Sequence, residues 1–104
     1  MLIHLFAFRW NADATAADQE RAVAEIRAFA GAIPGLLEVH VGMNTALRGG
    51  GYETGGVMKF ADEAALASYN SHALHQALLA WLLPLIDAIE IDFHSPAPST
   101  QPRD

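Results

Sequence analysis

Residues 1–10 read MLIHLFAFRW. In an extended chain successive side chains point to opposite sides, so Leu2, His4, Phe6, Phe8 and Trp10 share one face and Ile3, Leu5, Ala7 and Arg9 the other. Both faces are largely apolar. The segment therefore reads as an interior strand covered on both sides, and the rest of the chain has to be read for what supplies the two covers.

Working outward, Thr15-Ala16-Ala17-Asp18 resembles a capping box, and Gln19, Val23, Ile26, Ala30 and Ile33 recur behind it at helical spacing. This predicts a helix over residues 16–30, stopped by Gly31 and the Pro34-Gly35 pair. Residues 36–44 alternate, with Leu37, Val39, Val41 and Met43 facing one way and Glu38 and His40 the other, which is a second strand. The run Arg48-Gly49-Gly50-Gly51-Tyr52 is a loop, since three adjacent glycines carry a large ordering cost. A third strand spans residues 54–60, and its Gly55-Gly56 pair marks either a bulge or a close approach to the backbone. Asp62 caps a short helix to residue 69, Ser71 caps another over residues 72–83, and Pro84 ends it. Residues 88–94 form a fourth strand, with Ile89, Ile91 and Phe93 opposite Glu90 and Asp92.

The order strand, helix, two strands, helices, strand is the α+β, ferredoxin-like split βαβ pattern with one antiparallel four-stranded sheet. Helices cover only one face of such a sheet. Leu5, Ala7 and Val57 on the other face then call for a second copy of the chain, packed sheet to sheet as a homodimer. At 104 residues the chain is one domain, residues 1–95, followed by a Pro-rich extension, residues 96–104, expected to be mobile.

Twelve acidic against six basic residues give a net charge of −6, and no stretch gathers Lys and Arg, so neither nucleic acid nor anionic membrane is an expected partner. There is no cysteine, hence no disulfide or thiolate zinc site. The opening lacks the basic lead of a signal peptide and the length of a membrane span, which makes the cytoplasm the expected location. Cofactor-binding glycine motifs and nucleophile elbows are missing, and no metal-motif spacing occurs.

Histidine carries what chemistry remains. His4 lies among apolar neighbours on its strand face and needs a partner there, either a backbone group or a ligand. Tyr69, His72 and His75 succeed one another at three-residue intervals and can share a helix side. His72 suits a solvated helix start, whereas His75 lies with Leu78, Leu79 and Leu82 on the apolar stripe. An imidazole titrates near neutrality and a phenol can polarise a carbonyl, so these residues suit acid–base work better than metal binding. Asp92 can orient such an imidazole, or can simply be the solvent-side member of its strand.

The chain resembles the stress-responsive A/B barrel (Dabb) family of the dimeric α+β barrel superfamily. The likeness rests on Ile3-His4-Leu5, Ile33-Pro34-Gly35-Leu36, Val41-Gly42, Gly51-Tyr52, Phe60 with Asp62, and above all Ser68-Tyr69-Asn70-Ser71-His72-Ala73-Leu74-His75-Gln76 followed by Leu83-Pro84-Leu85. The resemblance implies two protomers closing their sheets into a barrel, with no bound cofactor. In one branch of the family a histidine base and a tyrosine close a polyketide ring in a cavity between sheet and helices. By position these are His75 and Tyr69, with His4, Phe6, Phe8, Val23, Ile26 and His72 around the substrate. Thr54 stands where that branch carries a further histidine. Three functions are compatible with this: a cyclase- or lyase-like enzyme on a small hydrophobic or polyketide-like carbonyl compound, a protein that binds a small hydrophobic ligand without turnover, and a monooxygenase-like or haem-handling relative.

Overall fold

The opening segment forms β1 (Leu2–Trp10), and it is paired along both edges. The computed structural model describes residues 1–96, so the extension expected at 96–104 lies, from residue 97 on, outside the described residues. After β1 come α1 (Ala16–Arg27), β2 (Leu36–Met43), β3 (Thr54–Phe60), α2 (Glu63–Ser71), α3 (Ala73–Leu82), a 3₁₀ turn at Leu83–Leu85 and β4 (Ile86–His94). The sheet order is β2-β3-β1-β4 with every pair antiparallel, the ferredoxin-like arrangement. None of the helices among the described residues is long and apolar enough to cross a membrane.

One face of β1 makes the core. Leu2, Phe6 and Phe8 pack with Met58 and Phe60 of β3, under Ala22 and Ile26 of α1, Tyr69 of α2, and Leu78 and Leu82 of α3. The helices hold each other as well: the Arg21 guanidinium lies 4.1 Å from the centre of the Trp81 ring, whose Nε1 donates to Glu25 Oε1 at 3.4 Å. The other sheet face has no helix over it. Ile89, Ile91 and Phe93 of β4 are 46%, 54% and 44% exposed there, beside half-buried Leu5, Ala7 and Val57. The apolar side of β4 thus faces away from the helices, while Glu90 and Asp92, which pair with Phe6 and His4, turn toward them.

Local chemistry accounts for several departures from the sequence reading. The Thr15–Asp18 capping box forms, but α1 ends at Arg27, with Ala28 as its C-cap, ahead of Gly31 at φ 77°. Its buried stripe is Ala22 and Ile26, continued by Phe29 and Ile33, while Gln19 and Val23 are half-buried and Ala30 is exposed. In β2 a register shift separates Leu36, opposite Phe60, from Glu38, opposite Lys59. The extra residue moves Leu37 off the Val39 and Val41 face and leaves it 59% exposed. Ser71 closes α2 rather than opening α3; its hydroxyl donates back to Ala67 and Ser68, and His72 is the N-cap instead. Strand β4 starts at Ile86, two residues early.

No bulge occurs at Gly55-Gly56, where the register with β1 runs unbroken from Leu2–Phe60 to Phe8–Thr54. The close-approach alternative is the one realised. A Cβ on Gly56 would overlap the ring of Phe6, its cross-strand partner, and that ring is held against Phe8 with centroids 5.3 Å apart. Gly56→Ala should therefore cost about 1–3 kcal/mol in urea unfolding. Combining it with Phe6→Leu should lose measurably less than the sum of the two single changes, because the smaller side chain yields the space. Strict additivity would mean that the two positions do not meet.

Candidate functional site

His4 enters the site from β1. Across the β1–β4 ladder it stands opposite Asp92, so the two side chains share the helix-side face, and His4 Nδ1 lies 2.5 Å from Asp92 Oδ1. A carboxylate only accepts, so Nδ1 carries the proton and Nε2 is left to interact elsewhere. The imidazole is buried beside Tyr69, with ring centroids 6.1 Å apart.

Tyr69 and His75 come from the junction of α2 and α3. His72 has extended backbone, φ −64° and ψ 140°, and its Nδ1 accepts from the Leu74 N–H at 3.1 Å, which starts α3 and breaks the helical ladder. Carbonyls in the last turn of a helix have no helical partner. The Asn70 carbonyl accepts instead from His75 Nδ1 at 3.1 Å and from Gln76 Nε2 at 2.6 Å. The helix break thereby creates the acceptor that sets the tautomer of His75 and leaves its Nε2 with a free lone pair.

The Tyr69 and His75 rings lie 4.2 Å apart, centroid to centroid. Burial pushes the Tyr69 hydroxyl well above the usual phenol range, and the nearby Glu90 carboxylate adds to the shift, so the hydroxyl stays protonated and can donate. Burial holds the His75 imidazole below its ordinary value; its hydrogen bond to Asn70 and the Glu90 charge oppose that, and His4 reinforces it. Among the described residues no buried side-chain nitrogen or oxygen is left without a partner. The Tyr69 hydroxyl and the Nε2 atoms of both histidines make no hydrogen bond within the described chain, so they open onto accessible space.

That space is a cavity of about 50 Å³. His4, Tyr69, His75 and Glu90 line it together with the apolar Phe6, Phe8, Ile26, Leu78 and Leu82. It has room for a group of a few atoms, far less than a porphyrin needs. Val23 and Thr54 are elsewhere. They line a separate cleft of about 380 Å³ between α1 and Met43, and the Thr54 hydroxyl accepts from Trp10 Nε1 at 2.9 Å. His72 serves as a cap outside the cavity. Among the described residues no three His, Asp or Glu side chains converge as metal ligands. Two contributors escape a reading of the sequence: the Asn70 carbonyl, invisible before the helix break is known, and Glu90, whose parity with Asp92 is the available signal. A protonated phenol beside an imidazole lone pair can hold a carbonyl oxygen while a proton leaves the neighbouring carbon.

The family model for the stress responsive A/B barrel domain matches residues 2–95. No curated protein sequence matches the chain. Among solved structures, one from Thermobifida fusca YX, described as a dimeric ferredoxin-like protein of unknown function, is 28% identical, with 88% of each chain covered and a TM-score of 0.78. A second of the same description, from Jannaschia sp. CCS1, is 25% identical over 90% of this chain and 98% of that one, with a TM-score of 0.80. The hydroxynitrile lyase of Passiflora edulis shares the fold, with a TM-score of 0.82 over 95% and 96% of the two chains, at 10% identity.

Because burial lowers the His75 imidazole from its ordinary value of 6.5, the folded protein binds fewer protons there than the unfolded chain does. The resulting stability is fully present above about pH 6.5 and is lost as pH falls from there through the folded-state value. Urea unfolding from pH 7.5 to 5 should show that decline, and His75→Gln should flatten it relative to the unaltered protein. Parallel curves for the two proteins would contradict a half-buried His75 held below its ordinary value.

Proposed function

Because the chain belongs to the stress responsive A/B barrel family, we propose that it works as a homodimer in which each protomer carries an acid–base site for a small carbonyl compound. One observation supports this reading: Tyr69, whose hydroxyl stays protonated, and His75, whose Nδ1 donates to the Asn70 carbonyl, line the same cavity. In the reaction His75 Nε2 takes the proton alpha to a carbonyl, and the Tyr69 hydroxyl donates to the oxygen as negative charge develops there. His4, its Nδ1 held by the Asp92 carboxylate, lines the same cavity beside the pair. A cavity of about 50 Å³ suits a reacting group of a few atoms and favours a small substrate over a polyketide. The lyase of Passiflora edulis contributes the fold alone at 10% identity, so the reading rests on this chain's residues.

The homodimer is supported by the helix-free sheet face with Leu5, Ile89 and Ile91, and by the two dimeric relatives at 28% and 25% identity. Binding without turnover is the second reading. It is favoured by the larger cleft at Val23 and Thr54, which holds no paired acid and base.

Exchange of the alpha protons of butanone in D₂O, followed by NMR, tests the chemistry. Tyr69→Phe and His75→Gln should each slow the catalysed exchange by roughly 10²–10⁴-fold while the melting temperature stays within a few degrees. Ring-signal shifts on adding butanone without any exchange would replace the enzyme reading with the binding one. For the assembly, sedimentation at micromolar concentration should give a dimer. Leu5→Glu should dissociate or unfold it, since an unpaired carboxylate buried between sheets costs several kcal/mol. A stable dimer in that variant would place the interface elsewhere.

A further inference from the structure

Glu90 stands opposite Phe6 on the helix-side face of β4, two residues before Asp92, and lines the cavity with His4, Tyr69 and His75. Among the described residues it has no ion-pair or hydrogen-bond partner. The other carboxylates on the sheet do have partners: Glu38 meets Lys59 and His40, Asp87 meets Arg9, and Asp92 meets His4. No Lys or Arg side chain lines the cavity. The ordinary account of an acidic side chain on an edge strand is a solvated face. Glu90 is exposed, as that account expects, yet the strand's isoleucines point the other way and Glu90 also lines the space shared with Tyr69, which is only 4% exposed and whose hydroxyl has no partner among the described residues. A polar atom so placed is suited to a ligand, and the charge nearest that ligand is negative.

We propose that Glu90 selects the charge of the ligand, admitting small molecules that carry a cationic nitrogen beside the polar end held by Tyr69 and His75, and disfavouring carboxylates. The inference rests on the acid–base site proposed for Tyr69 and His75 and names its substrate class. Physically, an unpaired anion at the rim of a low-dielectric space attracts a cation and repels an anion of the same shape. The Glu90 field already reaches both site residues, since it contributes to holding the Tyr69 hydroxyl protonated and opposes the loss of charge on His75.

Acetamidinium, acetamide and acetate are planar, nearly isosteric and small, and differ mainly in charge. Titrating each into the protein while tracking the His75 ring signals by NMR should rank them acetamidinium, acetamide, acetate, with about tenfold between the first and the last. Glu90→Gln should bring the three within about twofold, and Glu90→Lys should reverse the order. Asp13→Asn, which removes the same charge from an exposed loop, should leave the ranking intact and so exclude a general effect of net charge. An unchanged ranking in Glu90→Gln, or acetate binding as well as acetamidinium in the unaltered protein, would overturn the role of Glu90 and leave the acid–base site standing. If none of the three moves the His75 signals, the site reading falls, and this inference with it.

Discussion

Strand β1 is hydrogen-bonded along both edges, to β3 on one side and β4 on the other. A slip of one residue would turn Leu2, His4, Phe6 and Phe8 out of the helix layer and bring Ile3, Leu5 and Ala7 into it. The slip would take the rings of Phe6 and Phe8 out of the core that the present register gives them, so the register is strongly fixed. It dictates the placement of His4 against Asp92, of Phe6 over Gly56, and of Glu90 on the same side as both.

The second determinant is a fault in a helix. Had residues 63–82 run as one continuous helix, the Asn70 carbonyl would have been taken by the backbone and His75 would have had no fixed acceptor. The extended conformation of His72 removes that bond, and the side chain of His72 then repairs the new helix start by accepting from Leu74. Thus one residue interrupts the ladder, caps α3 and frees the group that orients its neighbour. Tyr69 gains from the same junction, because the end of α2 brings its ring within 4.2 Å of His75.

Much of this is legible in the sequence, and the limits have physical causes. The two-residue period of β1 and the Thr15–Asp18 box are local signals, and the structure keeps both. The pairing of His4 with Asp92 is only one option at the level of sequence, because register between strands far apart in the chain is a long-range property. The helix caps at Ser71 and His72 differ by one residue because serine and histidine can both accept from a backbone N–H, and the backbone decides between them. Resemblance alone groups Val23 and Thr54 with the cavity. Phe6 and Phe8 line the cavity of about 50 Å³, and Val23 and Thr54 line a separate cleft. The polar side of β4 reads as a solvent face and Glu90 and Asp92 are exposed, but alternation alone does not say that this side is the one that carries helices.

The close packing of Phe6 against Gly56 makes part of the cavity wall a single aromatic ring with no opposing side chain beneath it. The two groups proposed to handle the proton hang from other elements, Tyr69 from α2 and His75 from α3, while His4 shares β1 with Phe6. The ring that limits bulk and the proposed phenol–imidazole pair are therefore held by different parts of the chain. A lineage carrying this site can widen or narrow what it accepts through one position on β1, while the phenol and imidazole that would act on the ligand stay where they are.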